Sequence, residues 1–324
     1  MMEKSKLVKV EKVKKKRIWE IDFLRGLSIF LMIIDHAFIA LSEFGDAWFT
    51  AGQMRVSAEI QAYGLIEMIK AMSSGELLGG ASFALRLCYF SEWWWLYCGF
   101  RKVAQPLFAS IFIVICGISC TLSHNNLKRG LLLLLIAEAL TLGTHLYTKP
   151  NVLNFGVLHL LAVCILVFEG INAIFKGDKK SIAAVTASLS AVLLTVFLIL
   201  RHSQSFAESY GPDTGLFKNV LFCTKHSAHY APGKIYNNAL SFSPIDFFPI
   251  LPWMAVFMFG AAFGKIFYET KTSLLPKLDG KWNKPLCFMG RYSIWVYLGE
   301  PVVVYGILML VSYFKMSPGN WVLF

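Results

Sequence analysis

The chain has 324 residues and a formal net charge of +11, yet only 16% of its residues are charged whereas 56% are hydrophobic. A soluble domain carries about 25% charged residues, so this composition excludes an ordinary soluble protein and indicates an integral membrane protein. The basic excess does not indicate a nucleic-acid partner, because the basic residues gather in the N-terminal tail and in connectors between apolar segments, a pattern typical of membrane topology.

Seven apolar segments each have roughly the 20 residues that a helix needs to cross a bilayer. The sequence therefore predicts an all-α, polytopic membrane bundle with seven transmembrane helices. A basic tail before an apolar segment is also typical of a secretory signal, but Asp35 and His36 interrupt the first segment and no small-residue cleavage site follows it. The predicted spans cover residues 22–41, 103–123, 130–147, 155–175, 181–200, 247–268 and 292–314.

The basic residues also predict the orientation of the chain. The tail at residues 1–17 is rich in lysine and should stay in the cytoplasm under the positive-inside rule. Seven spans then place the later basic connectors, 128–129, 176–180 and 271–284, on the same side and the C-terminus on the extracytoplasmic side. We expect two parts: a basic cytoplasmic tail at 1–17 and a single transmembrane domain over 18–324.

Two long connectors, residues 42–102 and 201–246, are predicted to lie outside the cell. Long loops in an otherwise tight chain are more often functional than accidental. The first contains the aromatic cluster Trp93, Trp94 and Trp95, which favours an interfacial or re-entrant segment at the level of the lipid headgroups. A lid over a site and an additional pair of short spans are the alternatives.

The first span carries several ionisable residues. Arg25 and His36 are eleven residues apart, which is about three full helical turns, so both side chains fall on one face roughly 16 Å from each other. Asp22 lies on the same face and Asp35 stands beside it. Because ionisable residues are costly in hydrocarbon, this face is a candidate site. The alternative is that Arg25 reaches the headgroups and His36 bonds a neighbouring helix.

Three more ionisable residues, Glu138, His159 and Glu300, fall within later spans. Each is either part of a site or a buried polar residue that fixes helix packing. A second function, a secondary transporter, would use Asp35, His36, Glu138 and Glu300 as a proton relay. Seven spans form no even pair of repeats, and this count favours an enzyme.

The sixth span begins irregularly. Pro249 and Pro252 remove backbone donors near its start, and the freed groups require protein or water partners. We therefore expect residues 246–253 to line the extracytoplasmic mouth of a cavity. The GxxxG spacing of Gly260 and Gly264 predicts close helix packing, with a homodimer face as the alternative.

Four stretches of the chain, in matching order and spacing, carry a resemblance to a known family. They read RIWEIDFLRGLSIFLMIIDHAF, PLFASIFIVICGISCTLS with the following LKRG, FGVLHLL, and SPIDFFPILPWMAVFMFGAAFGK. They resemble the catalytic domain of the heparan-α-glucosaminide N-acetyltransferase family. The Arg, ten residues, His arrangement is also similar to that of other transmembrane acyltransferases that modify cell-surface glycans. One departure is the last span, which reads YLGEP where relatives commonly have a His before Gln-Pro.

The resemblance implies a membrane enzyme that transfers acetyl groups from cytosolic acetyl-CoA to a sugar or amino sugar on the far side of the membrane. By position, His36 is the catalytic histidine, Arg25 lies at the donor-facing end of its helix, and Glu300 is the candidate substitute in the last span. No metal is expected. The short N-terminal region favours the plasma membrane of a prokaryote.

The chemistry of acyl transfer agrees with these roles. A base must remove the proton of the acceptor hydroxyl or amine, and histidine titrates nearest to working pH. We expect His36 to be that base, oriented or charged by Asp35, Asp246 or Glu300, either by direct transfer or through an acetyl-histidine intermediate. Coenzyme A is strongly anionic, so its candidate contacts are Arg25, Arg17, Lys16, Lys128, Arg129 and His159.

Overall fold

The computed structural model describes residues 17–75, 77–78, 80–147, 155–202 and 248–315. Within these ranges every regular element is a helix, and seven helices are long and apolar enough to cross a membrane. The protein is therefore an integral membrane protein, and the predicted all-α bundle is confirmed for the part of the chain that the structure describes.

The helices, in chain order, differ widely in length. They are α1 (Trp19–Trp48), α2 (Ala51–Met54), α3 (Ala58–Gln61), α4 (Leu65–Ser74), α5 (Phe83–Leu96), α6 (Gly99–Leu122), α7 (Asn126–Tyr147), α8 (Val157–Ile174), α9 (Lys179–His202), α10 (Ile250–Phe267), α11 (Lys284–Arg291) and α12 (Ser293–Lys315), with a 3₁₀ turn at Pro276–Leu278. The seven candidate spans are α1, α6, α7, α8, α9, α10 and α12.

Several helix ends are fixed by local hydrogen bonds. The Ser82 hydroxyl accepts a bond from the Leu85 N–H and starts α5. Asp178 accepts the N–H of Ser181 at 2.9 Å where α9 begins. Hydrogen bonds from the Ser181 side chain and backbone hold the pKa of the Asp178 carboxyl below its usual value. Gly75 ends α4 with a φ of 78°, a left-handed conformation that glycine adopts without steric penalty.

Helix α1 is the centre of one half of the bundle and α10 is the centre of the other. α1 contacts α5, α6, α11 and α12, whereas α10 packs against α6, α8 and α9, and α7 packs on α8. The main apolar core lies where α6, α8 and α10 meet. Its fully buried members include Ile113, Leu160, Phe168, Phe257 and Met258.

Glycines allow α6 and α10 to approach closely. A Cβ atom at Gly117 would overlap the carbonyl oxygen of Phe257, and one at Gly260 would overlap the carbonyl oxygen of Val114. Close packing was predicted from the GxxxG spacing and is confirmed, because Gly264 also lies against Ile118 of α6. The partner of these glycines is a helix of the same chain.

Connector 42–102 is largely helical. α1 continues to Trp48, and α2 to α5 follow, with α5 packed along α1. Trp93 is completely buried, and its indole N–H donates to the Ile60 carbonyl at 3.0 Å. This segment thus forms a folded cap beside α1, and α5 is not among the candidate spans. Most of connector 201–246 lies outside the described residues.

Helices α1 and α12 run in the same direction. Just before α12 begins, the Gly290 carbonyl of α11 accepts a bond from Arg25 at 3.3 Å, and near the ends of α1 and α12 the Trp48 indole N–H donates to the Ser312 hydroxyl at 2.6 Å. The irregular entry predicted for the sixth span is also present, since Leu251 leaves helical geometry (φ −96°, ψ 126°) one residue after α10 begins.

Candidate functional site

The central feature of the site is a contact between His36 on α1 and Glu300 on α12. The Nδ1 atom of His36 lies 3.1 Å from Oε2 of Glu300. The Glu300 side chain is only 4% exposed, whereas that of His36 is 40% exposed. When Glu300 is ionised it can only accept a hydrogen bond, so in that state Nδ1–H of His36 donates and the lone pair of the ring lies on Nε2. The contact with Glu300 orients the imidazole of His36.

Asp35, the neighbour of His36, has different partners. Its Oδ1 accepts bonds from the Arg101 Nε–H at 2.6 Å and the Trp94 indole N–H at 2.8 Å, and its Oδ2 accepts from Arg101 Nη2 at 2.9 Å. Both charged side chains are nearly buried. The guanidinium group of Arg101 also lies 4.3 Å from the centre of the Trp95 ring. Asp35 is therefore bound to the corner between α5 and α6.

Sequence reasoning did not identify Arg101 as part of this region. A carboxylate inside a span requires a cationic partner at a similar depth, and Arg101 lies just before the second predicted span. This pattern could have identified Arg101 as the partner of Asp35.

Arg25 lies at the other end of the same face of α1. Its guanidinium group donates to the Ser119 hydroxyl of α6 and, at 3.3 Å, to the Gly290 carbonyl at the end of α11. Asp22 Oδ1 lies 3.9 Å from Nη1 of Arg25. Because α1 is continuous, Arg25 and His36 are about 16 Å apart along the helix axis.

Three arginines surround the buried carboxylate of Asp22. Besides Arg25, Arg17 lies 3.5 Å from Asp22 and the Nε of Arg291 lies 3.9 Å from it. The side chains of Arg17 and Arg291 are 62% and 43% exposed. Three guanidinium groups against one carboxylate leave a positive excess that faces solvent, which suits an anionic ligand. We call these three residues the arginine cluster.

A model of the heparan-alpha-glucosaminide N-acetyltransferase catalytic domain matches residues 17–64 and 81–302, which is most of the chain. The chain belongs to this family. The resemblance seen in the sequence is thereby confirmed, and the protein is a transmembrane acetyltransferase of a glycan-modifying family. No curated protein and no solved structure matches the chain.

Lys128 and Arg129 of the acetyltransferase are exposed in the first turn of α7. This turn follows the end of α6, and the Asn126 side chain donates to the Cys120 carbonyl at 2.9 Å. Since Ser119 of α6 holds Arg25, the start of α7 lies at the same end of the bundle as the arginine cluster. Within the described part of the chain, no hydrogen bond or ion pair joins Lys128 or Arg129 to that cluster.

His159 lies in a different part of the molecule. Its Nε2 is 3.3 Å from the Thr141 hydroxyl and 3.7 Å from Oε1 of Glu138, and its ring stacks on Phe155. Glu138 is about 18 Å along α7 from Asn126. The structure therefore does not bring His159 to the arginine cluster, where the donor set was expected. Of the four residues of the predicted proton relay, His36 contacts Glu300, whereas the described contacts of Asp35 are with Arg101 and Trp94 and that of Glu138 is with His159.

A second buried carboxylate, Glu20, was missed in the sequence because it sits at the edge of the first span. It accepts the Leu274 N–H at 2.7 Å and the Ser273 hydroxyl at 2.8 Å. The Tyr268 hydroxyl donates to it at 3.4 Å. Burial, assisted by the negative charge of Glu20, raises the pKa of Tyr268 to about 12, so its phenol is a neutral donor at physiological pH. The hydrogen bonds to Glu20 thus hold the connector between α10 and α11 against α1.

Two predicted site residues, Lys16 and Asp246, lie outside the described residues. Pro249 and Trp253 do fall within them: Pro249 is the N-cap of α10, and Trp253 lies in its first turn.

Proposed function

We propose that this acetyltransferase moves an acetyl group from cytosolic acetyl-CoA to a hydroxyl or amine of a sugar or amino sugar on the extracytoplasmic side. The observation that carries this proposal is the His36–Glu300 contact, about 16 Å along α1 from the arginine cluster. One helix thereby joins a candidate proton acceptor to a candidate anion site. The basic tail and connectors favour a cytoplasmic location for the arginine cluster.

His36 has the features of a general base. Glu300 fixes the ring so that Nε2 can take the proton of the acceptor hydroxyl or amine. The acceptor oxygen or nitrogen then attacks the thioester carbonyl, a bond to the acetyl carbon forms, and the carbon–sulfur bond breaks to release the thiolate of coenzyme A. The proton held on His36 passes to that thiolate or to water, and the negative Glu300 stabilises the imidazolium in the interval.

The arginine cluster would bind the phosphates of the donor. Guanidinium groups recognise phosphate in a bidentate manner, and those of Arg17 and Arg291 are substantially exposed. Lys16, Lys128 and Arg129 are further candidate contacts at this end. The pantetheine arm of coenzyme A, extended between helices, would have to cover the distance of about 16 Å to His36.

The decisive experiment measures acetyl transfer by purified protein in vesicles, with acetyl-CoA and an amino-sugar acceptor supplied on opposite sides. We expect His36→Ala to lower kcat by at least roughly 100-fold, as removal of a general base does. The matched control is His145→Ala, since His145 is exposed near the end of α7. Undiminished turnover in His36→Ala would reject the base role.

Two further measurements refine the proposal. Acetyl-CoA should raise the thermal stability of the protein, whereas free acetate should not, because only the former carries phosphates for the arginine cluster. Rapid quenching of the reaction without an acceptor separates the two routes: acetylated His36 indicates a covalent intermediate, and its absence indicates direct transfer.

A further inference from the structure

Asp35, Trp94 and Arg101 form a unit that we call the Asp35 clamp. Each carboxylate oxygen of Asp35 is hydrogen-bonded, at 2.6 and 2.8 Å for Oδ1 and 2.9 Å for Oδ2. The Asp35 and Arg101 side chains are 14% and 13% exposed. A buried ion pair is stable only when its geometry is good and its remaining donors and acceptors are paired, and the forked contact of Arg101 meets that requirement.

We infer that Arg101 is a positioning residue for His36. Consecutive helix residues project about 100° apart, so the rotation of α1 that places Asp35 against Arg101 also determines where His36 points. On one side α1 is held by the corner of α5 and α6, and on the other side His36 meets Glu300 of α12. The clamp thus sets the direction of the imidazole.

The contacts of Arg101 hold its guanidinium group in place. Its guanidinium group lies over the Trp95 ring at 4.3 Å, so the fork is held by an aromatic face as well as by Asp35. Arg101 lies in the first turn of α6, and Trp94 lies in the last turn of α5. Both donors therefore come from the segment that connects the cap to the bundle, and their bonds to Asp35 tie that segment to α1.

The inference changes the role expected for Asp35. The Asp35 carboxylate accepts three hydrogen bonds, two of them from the Arg101 guanidinium, so these contacts join it to the corner of α5 and α6. In the sequence, Asp35 was a candidate to orient His36 by direct contact. As part of the Asp35 clamp, Asp35 instead affects His36 by fixing the rotation of α1.

The inference rests on the proposed role of His36, and its first test uses substitutions of Arg101. Arg101→Lys keeps the charge but loses the fork and the stacking, and Arg101→Gln loses the charge as well. We expect kcat to fall by roughly 10-fold in the first variant and roughly 100-fold in the second, because a displacement of about 1 Å can have such an effect. The KM for acetyl-CoA should stay within about 2-fold, since the arginine cluster is about 16 Å away along α1.

The matched control is Arg55→Gln, which removes an exposed arginine from the same connector. Wild-type kcat in both Arg101 variants would overturn the inference. Equal losses of kcat in the Arg101 and Arg55 variants would overturn it as well, because the effect would then belong to the connector as a whole.

A second test asks whether the two charges act as one unit. Arg101→Gln leaves the Asp35 carboxylate buried without its cation, whereas the double variant Asp35→Asn/Arg101→Gln replaces both charges with amides that can pair. We expect the double variant to recover about 10-fold in kcat relative to Arg101→Gln. A double variant less active than Arg101→Gln would show that Asp35 has its own catalytic role and would overturn the clamp.

A measurement independent of turnover separates failure of the clamp from failure of the proposed function. The partly exposed ring of His36 should react with diethyl pyrocarbonate, and mass spectrometry can follow the rate at that residue. We expect a several-fold change of this rate in Arg101→Gln and none in Arg55→Gln. Suppose that His36→Ala keeps its turnover and that the reaction rate of His36 with diethyl pyrocarbonate changes in Arg101→Gln. The role of His36 as a base would then be rejected, whereas the positioning of His36 by Arg101 would be supported. An unchanged rate in Arg101→Gln overturns the positioning.

Discussion

Glu300 lies against His36, with 3.1 Å between the carboxylate and the imidazole, although 264 residues separate them in the chain. The first and last spans of the described chain therefore build the centre of the site together. Since α1 and α12 run in the same direction, their contact continues toward their ends with the Trp48–Ser312 bond, whereas the Arg25–Gly290 bond ties α1 to α11 just before α12 begins.

This contact predicts a large effect of removing the charge of Glu300. Glu300→Gln keeps the volume and an acceptor oxygen, but it no longer stabilises the imidazolium or selects the Nδ1–H tautomer. We expect kcat to fall by about 100-fold or more, with little change in the KM for acetyl-CoA, in steady-state transfer assays. Glu43→Gln is the matched control, since Glu43 lies on α1 and bonds Tyr305 of α12 at 2.7 Å. Equal kcat values for Glu300→Gln and wild type would contradict the assignment.

The crossing of α1 and α11 predicts a stability effect at Gly290. A Cβ at this position would overlap the carbonyl oxygen of Asp22, and one at Gly26 would overlap that of Leu286, so backbone would meet backbone. We expect Gly290→Ala to destabilise the protein by about 1–3 kcal/mol, as overpacking does, and to lower its thermal unfolding temperature in detergent. It should also weaken acetyl-CoA binding, because the Gly290 carbonyl holds Arg25.

The control for this prediction is Gly306→Ala on α12. A Cβ there meets nothing within 4 Å, so alanine should be neutral or, through its helix propensity, stabilising by up to about 1 kcal/mol. Unfolding temperatures of Gly290→Ala that match those of Gly306→Ala would contradict the close approach of the two helices.

The sequence allowed the prediction of the spans and of one face of α1, because hydropathy and helical period depend only on local residues. Arg25 and His36 lie on a continuous helix, as their spacing indicated. The first span was predicted to end at residue 41, but α1 continues to Trp48. The reason is that Glu43 and Asp46 reduce hydropathy without breaking the helix, and contacts with Tyr305 and Ser312 support this extension.

The partners of the ionisable residues could not be predicted. Asp35, Asp246 and Glu300 were alternative candidates to orient or charge His36, and the packing of α12 on α1 brings Glu300 to it. Asp35 is paired with Arg101 for the same reason, since α6 packs on α1. His159 was a candidate contact of the donor because of its residue type. The α7–α8 contact places it against Glu138 and Thr141 instead.

Glu20 predicts a change in protease sensitivity. It fixes the connector after α10 by accepting bonds from Ser273 and Leu274, and this connector contains exposed lysines. Glu20→Ala leaves these donors unpaired, and we expect limited trypsin digestion to cut at Lys271 and Lys277 several-fold faster. Glu269→Ala is the control, because Glu269 bonds only the exposed Lys179 in the described contacts, at 3.0 Å. Equal cleavage rates in both variants would show that Glu20 does not hold the connector.

The positive excess of the arginine cluster predicts a selective effect on donor binding. Arg291 is exposed and lies 3.9 Å from Asp22, which Arg17 and Arg25 already neutralise, so its charge is available to a phosphate. We expect Arg291→Gln to raise the KM for acetyl-CoA by about 10-fold with kcat nearly unchanged, because a charge-assisted hydrogen bond contributes about 1.5–3 kcal/mol. The KM should also become less sensitive to added salt in this variant, since one phosphate contact is lost.

The same measurement on Lys179→Gln provides the control for Arg291. Lys179 is also an exposed cation in a connector predicted to be cytoplasmic, but Glu269 neutralises it at 3.0 Å. Its removal should leave the KM within about 2-fold of wild type, because an exposed, paired charge contributes little to binding. Equal rises of KM in both variants would indicate a general effect of surface charge. A rise confined to Arg291→Gln would instead support donor binding at the arginine cluster.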